Sequence, residues 1–180
     1  FAETRKVCLI ADYLVFKLTG RHLIEYSLAA RTMGLDIRTK TWNRDIFKTA
    51  SIDPGLFGKL VPSGTDAGPI LPEIAEELDL SKEMRVVLCG HDQVAAAVGS
   101  SVIKPGIATD GGGTVQCITP VFSSIPQDHI LQDNHYSVVP FLQKDTYCCY
   151  AFSFTGGSLV KWFIDNFAAQ YRLDAAKRNK

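Results

Sequence analysis

The chain has 180 residues, with 19 Lys plus Arg balancing 19 Asp plus Glu, so its formal net charge is zero. Hydrophobic residues make up 46%, which suits a soluble protein with a buried core. The balanced charge offers no basic field to nucleic acid or an acidic membrane surface.

The apolar runs are too short to span a bilayer. Phe1-Ala-Glu-Thr-Arg-Lys6 carries no initiator Met and no signal-peptide core. A segment of a longer cytoplasmic protein is the expectation. Cys8, Cys89, Cys117, Cys148 and Cys149 show no Cys-x-x-Cys and no Cys/His spacing suited to zinc. Buried, reduced thiols are expected, with no metal site.

In chain order, Val7 to Ile10 is a short apolar run. Asp12 suits the cap of a helix over Tyr13 to Leu18, closed by Thr19-Gly20. Ile24 to Gly34 is too polar and small-residue-rich for a simple core helix. Leu35 to Trp42 alternates, as an edge strand or extended loop does. Asn43 caps a predicted helix from Arg44 to Ala50. Asp53-Pro54 starts a helical turn, Leu60-Val-Pro62 is extended and Ser63 to Gly68 is a polar turn. Leu71 to Leu78 is a short amphipathic helix.

Arg85 to Cys89 is a β-type run, broken by Gly90. His91, Asp92 and Gln93 stand at the break, ahead of a small-residue helix from Val94 to Gly99. A turn at Lys104-Pro105-Gly106 leads into Ile107-Ala-Thr and Asp110-Gly-Gly-Gly-Thr114. Val115 to Pro120 then reads as the returning arm of a hairpin. Ser123 to Asp133 is a polar connection. Tyr136 to Pro140 and Thr146 to Ser153 are predicted strands around a turn at Gln143 to Asp145. Thr155-Gly-Gly-Ser158 opens a long amphipathic helix whose Trp162, Phe163 and Phe167 suit a core. The polar end from Arg172 to Lys180 is expected to fray. Alternating strands and helices make the class α/β.

The chemistry gathers in the middle. A carboxylate at a strand tip lies where open α/β sheets bind ligands, and a glycine-rich turn lets backbone N–H groups approach phosphate oxygens. Together, Asp92 and the glycine turn point to phosphoryl transfer. Asp92 is the candidate base, though Asp also suits a helix N-cap there. Gln93 is able to bind a polyol, and His91 to orient a substrate or a water. Gly112, Gly113 and Thr114 form the phosphate turn, which also reads as a plain hairpin. Thr155-Gly-Gly-Ser158 at a helix start is a second anion-binding candidate. Neither loop is a P-loop or a dinucleotide fingerprint.

Taken together these residues resemble the FGGY carbohydrate kinases, across nearly the whole chain. Asp12-Tyr-Leu-Val-Phe-Lys-Leu-Thr-Gly20 resembles the family's Asp-Tyr-Leu-x-x-x-Leu-Thr-Gly. Glu25-Tyr-Ser-Leu-Ala-Ala30 is similar to its Asp-x-Ser-x-Ala-Ser, with Glu and Ala as departures. Gly90-His-Asp-Gln93 with Ala95-Ala-Ala-Val-Gly99 matches Gly-x-Asp-Gln-x-Ala-Ala-x-Gly. Gly113-Thr114 falls at the family's phosphate motif, followed here by Val-Gln where Ser-Gly is common. Gly156-Gly157 with Trp162 is similar to a later Gly-Gly…Trp helix.

The resemblance implies parts of two ribonuclease H-like (actin-like ATPase) domains, with mixed sheets and flanking helices. Residues 1–104 would end the first, sugar-binding domain, and residues 105–180 would begin the second, ATP phosphate-binding domain. It implies Asp92 as general base and His91, Gln93 and Glu25 on the substrate side. It places Gly112, Gly113 and Thr114 on the ATP phosphates, Gly157 and Lys161 beside the nucleotide, and Mg²⁺ bridging the phosphates. The substrate would be a ketose, such as the pentulose xylulose or a hexulose, or a related polyol, and there is room for a homodimer. A non-sugar ATPase of the same fold and a non-catalytic sugar-binding module are the alternatives. A fragment without the remaining parts is expected to be inactive.

Overall fold

The structure, a computed structural model, describes residues 3–178; Phe1, Ala2, Asn179 and Lys180 lie outside the described residues. Helix α1 (Ile10–Thr19) ends at Gly20, whose φ of +71° forms a left-handed cap with its N–H on the Phe16 carbonyl. The N-cap expected at Asp12 falls instead at Leu9, and Asp12 is buried within the first turn. Strand β1 (Leu23–Glu25) runs straight into α2 (Tyr26–Arg31). This stretch folds as a helix despite its polar composition because Glu25 accepts the N–H groups of Ser27 and Leu28 while Ser27 and Ala29 turn inward.

The alternating segment that follows is a hairpin of β2 (Leu35–Asp36) and β3 (Thr41–Trp42). Helix α3 (Arg44–Ala50) begins at its expected cap, with the Asn43 side chain accepting from Asp45 and Ile46. After a 3-10 turn at Pro54–Leu56, β4 (Lys59–Val61) pairs in parallel with β1, Ile24 opposite Leu60. The predicted polar turn at Ser63 to Gly68 is half strand: β5 (Asp66–Pro69) crosses α4 (Pro72–Glu77) to pair antiparallel with β6 (Arg85–Val87). Buried Ala67, beside Leu88, Val61 and Val15, supplies the anchor that composition alone conceals.

Helix α5 (Asp92–Gly99) leads to β7 (Ala108–Gly112) and β8 (Gln116–Phe122). The polar connection contains α6 (Ile130–Asp133). Beyond it, β9 (Val138–Pro140) is followed by β10 (Tyr147–Cys149) and β11 (Ala151–Ser153), so the expected single strand is divided at Tyr150. These five strands form one antiparallel sheet. β7 flanks one side of β8, while β11 and β10 share its other side and β9 lies beyond β10. Val94 and Ala97 of α5 pack into its core with Cys117, Val121, Val139, Phe141, Cys148 and Tyr150.

Helix α7 (Gly156–Phe167) continues into α8 (Ala169–Arg178), where fraying from Arg172 is the sequence-based expectation. Arg172 instead pairs with Asp165, and Gln170 with Asp174 at 3.0 Å, which ties α8 to α7 and to itself. Trp162, Phe163 and Phe167 do not enter a core. All three are more than half exposed, and Phe167 meets Trp162 edge-on and Phe163 at a tilt along α7. Cys117, Cys148 and Cys149 are buried free thiols, and burial pushes Cys148 up to about 12. Cys8 is half-buried and Cys89 is exposed, so the expected burial holds for three of the five.

Candidate active site

The turn between β6 and α5 needs a glycine twice over. Gly90 has φ +91°, and a Cβ there would stand 2.6 Å from Glu25 Oε2 and 2.8 Å from Ser27 Oγ. His91 follows as the N-cap of α5. Asp92 is therefore the first helical residue and not the cap, and its side chain is 81% exposed. One carboxylate oxygen accepts the Gln93 N–H at 2.7 Å and lies 2.8 Å from His91 Nδ1. The Gln93 N–H is 3.3 Å from that same ring nitrogen. Nδ1 cannot accept from Gln93 and donate to Asp92 at once. The shorter contacts assign the proton to Nδ1, so imidazole and amide both donate to Asp92 and fix its direction.

His91 is held from its other side by Tyr150, whose ring stacks on the imidazole with centroids 4.8 Å apart and planes 22° apart. Burial lowers the His91 pKa below its ordinary 6.5, against the opposing pull of the Asp92 charge, so the neutral ring is favoured. Tyr150 is buried and its hydroxyl has no partner, and desolvation drives its pKa upward.

Glu25, expected on the substrate side, is 1% exposed and its oxygens are engaged by the protein. Oε2 accepts the N–H of Ser27 at 2.8 Å, that of Leu28 at 3.2 Å and the Ser27 hydroxyl; Oε1 accepts the Ser63 hydroxyl at 2.6 Å. Ser27 Oγ in turn accepts the backbone N–H of His91 at 2.9 Å. Glu25 thus reaches Asp92 through Ser27 and the His91 backbone.

The two glycine-rich motifs come together. Gly112 ends β7, and Gly113 and Thr114 form the exposed turn before β8. The start of α7 rests on that turn, with the Gly157 N–H donating to the Gly113 carbonyl at 2.7 Å. A Cβ on Gly156 would lie 2.8 Å from both Gly113 O and Gln116 N, so the approach is closed to larger residues. No Cβ contact within 4 Å faces Gly112, which leaves its backbone open to a ligand. An open glycine backbone, an exposed Thr hydroxyl and an adjoining helix N-terminus fit a phosphate group.

Lys161 stands one turn into α7, 70% exposed and paired with Asp165 at 2.5 Å. Asp92 is linked to the turn through α5, which packs on β7 and β8. Its charge, after burial, is among the groups that raise the Cys117 thiol, which lies opposite Gly111 in the sheet.

Ser27, Ser63 and Tyr150 are the parts that sequence reasoning does not single out. Ser27 had a local signal, two positions after a carboxylate at a helix start. Ser63 and Tyr150 had none, because their partners lie 38 and 59 positions away.

A carboxylate at the start of α5, the helix that packs on the two strands flanking the glycine turn, is set in a mixed α/β fold. The chain belongs to the FGGY family of carbohydrate kinases: the model of that family's N-terminal domain matches residues 1–99. A xylulose kinase of Lactococcus lactis is 35% identical over 114 residues, covering 63% of this chain and 23% of the relative. An autoinducer-2 kinase of Salmonella typhimurium is 28% identical over 176 residues, covering 95% and 32%. The solved xylulose kinase from Lactobacillus acidophilus superposes with a TM-score of 0.83 at 23% identity, over 99% of this chain and 36% of that one. It shares the fold, and the expected α/β, actin-like class stands. The chain spans about a quarter to a third of these relatives' lengths.

Proposed function

We propose that the chain forms the central part of an ATP-dependent sugar kinase that transfers the γ-phosphoryl group to a hydroxyl of a ketose or related polyol. The single observation that carries this is Asp92, an exposed carboxylate aimed by two neighbouring groups, the His91 imidazole and the Gln93 N–H. In that role it accepts the hydroxyl proton as the sugar oxygen attacks phosphorus. His91, kept neutral by burial, donates to Asp92 and holds its lone pairs toward the substrate. Gln93 binds a neighbouring hydroxyl through its amide. Glu25 acts as a positioning residue through Ser27.

Gly112, Gly113 and Thr114 would hold the ATP phosphates, with Gly157 and Lys161 beside them. Lys161 exchanges its exposed Asp165 partner for phosphate at little cost, since surface pairs contribute only about 0–1 kcal/mol. Mg²⁺ bound with the ATP phosphates would supply charge neutralisation. Residues 1–104 belong to the sugar-binding domain and residues 105–180 begin the phosphate-binding domain. The family-model match ending at residue 99 supports that division. A pentulose such as xylulose is the favoured substrate, supported by the names of the relatives.

ADP release by the intact kinase across ketoses, aldoses, polyols and glycerol tests the proposal. Release dependent on one sugar supports it. Release that ignores every sugar means a non-sugar ATPase, and binding without release a sugar-binding module.

A further inference from the structure

Far along the chain from Asp92, three residues with metal-binding side chains converge beside α1. Cys8 precedes the helix, Asp12 lies in its first turn, and His22 follows its Gly20 cap. Cys8 Sγ is 3.4 Å from His22 Nε2, and one donor atom from each of the three lies within 4.8 Å of the others. The Val7 carbonyl oxygen is 3.3 Å from the same ring nitrogen.

Asp12 makes the group more than a coincidence of side chains. It is 1% exposed, and neither carboxylate oxygen has a hydrogen-bond partner. Buried polar groups are nearly always satisfied, and an isolated buried carboxylate is costly.

We propose that Cys8, Asp12 and His22 form a binding site for a zinc-class divalent cation. Metal–sulfur and metal–nitrogen bonds of about 2.3 and 2.0 Å at a tetrahedral angle separate the two donors by about 3.5 Å, close to the Cys8–His22 distance found here. Thiolate, imidazole and carboxylate form a borderline-soft set that suits Zn²⁺ rather than Mg²⁺ or Ca²⁺. Binding releases one proton, that of the Cys8 thiol. His22 then ligates through Nε2 and carries its proton on Nδ1. Lys6, whose ammonium is 3.5 Å from Nδ1, is exposed and free to turn to water. The ion would pin the segment before α1 to the approach to β1, the strand that ends in Glu25.

The test is Co²⁺ titration of the purified full chain after chelator treatment. One equivalent should bind with a thiolate-to-cobalt charge-transfer band, and Zn²⁺ should displace it. Cys8→Ser should remove the band, whereas Cys89→Ser, at the exposed thiol, should leave it unchanged. Asp12→Asn should weaken binding at least about tenfold, the lower end of what even outer-shell losses cost. Zn²⁺ should raise the Tm of the parent chain but not of Asp12→Asn. If that variant does not fold, His22→Gln is read in the same way. No band, a band that survives Cys8→Ser, or an equal Zn²⁺-induced Tm rise in the Asp12 or His22 variant would overturn the proposal.

Discussion

Ser27 Oγ accepts the backbone N–H of His91 at 2.9 Å while donating its own proton to buried Glu25. One hydroxyl therefore fastens the turn that carries Asp92 to the start of α2. Ser27→Ala would leave a buried carboxylate oxygen short of one donor and a half-buried N–H without its acceptor. An unsatisfied buried group costs about 1–3 kcal/mol, so urea unfolding should show a loss in that range. Because Asp92 loses its alignment, kcat should fall more than KM rises.

Gly90→Ala should be worse. The added Cβ meets the Glu25 carboxylate at 2.6 Å in a backbone conformation that alanine avoids. Strain of about 1–3 kcal/mol from the backbone alone adds to the clash. The expected outcome is a lower Tm together with loss of activity.

His91 makes stability depend on pH. Its pKa is lowered in the fold by burial, so the unfolded chain binds its proton first as pH falls. The contribution is fully present above 6.5 and is lost as pH drops from there through the lowered folded value. Urea unfolding on either side of 6.5 should show this slope, and His91→Asn should flatten it. In the metal-free chain the raised pKa of Asp12 acts in the opposite sense: its contribution is lost as pH rises from 3.8 through the raised folded value.

Gly156→Ala tests the contact between α7 and the phosphate turn. Its Cβ would meet the backbone at Gly113 and Gln116, each 2.8 Å away, so α7 must lift from the turn. Overpacking of this kind costs about 1–3 kcal/mol. The KM for ATP should rise roughly tenfold, the equivalent of about 1.4 kcal/mol, with the sugar KM little changed.

What was legible in the sequence was local. Asn43, Gly20 and Gly90 announce a cap, a helix end and a strand end within a few residues. Gly-His-Asp-Gln and the two glycine motifs likewise stand out by composition. What was not legible depended on distance along the chain. Ser27 meets His91 across 64 positions, and Tyr150 meets His91 only after the five-stranded sheet forms. β5 was concealed because Asp66 and Gly68 look like turn residues, while buried Ala67 gives little periodic signal. Asp12 shows the limit of propensity: it suits a cap, yet tertiary contacts draw it into the interior.

The most direct measurement is sugar-dependent ADP release by the intact kinase, with Asp92→Asn beside it. Asp92 is exposed, so the variant should keep its stability within about 1 kcal/mol. Loss of a general base should cut kcat by about 10²–10⁴ with sugar binding retained. ADP release undiminished in Asp92→Asn, or independent of every sugar, would contradict the assignment of Asp92 as the base of a sugar kinase.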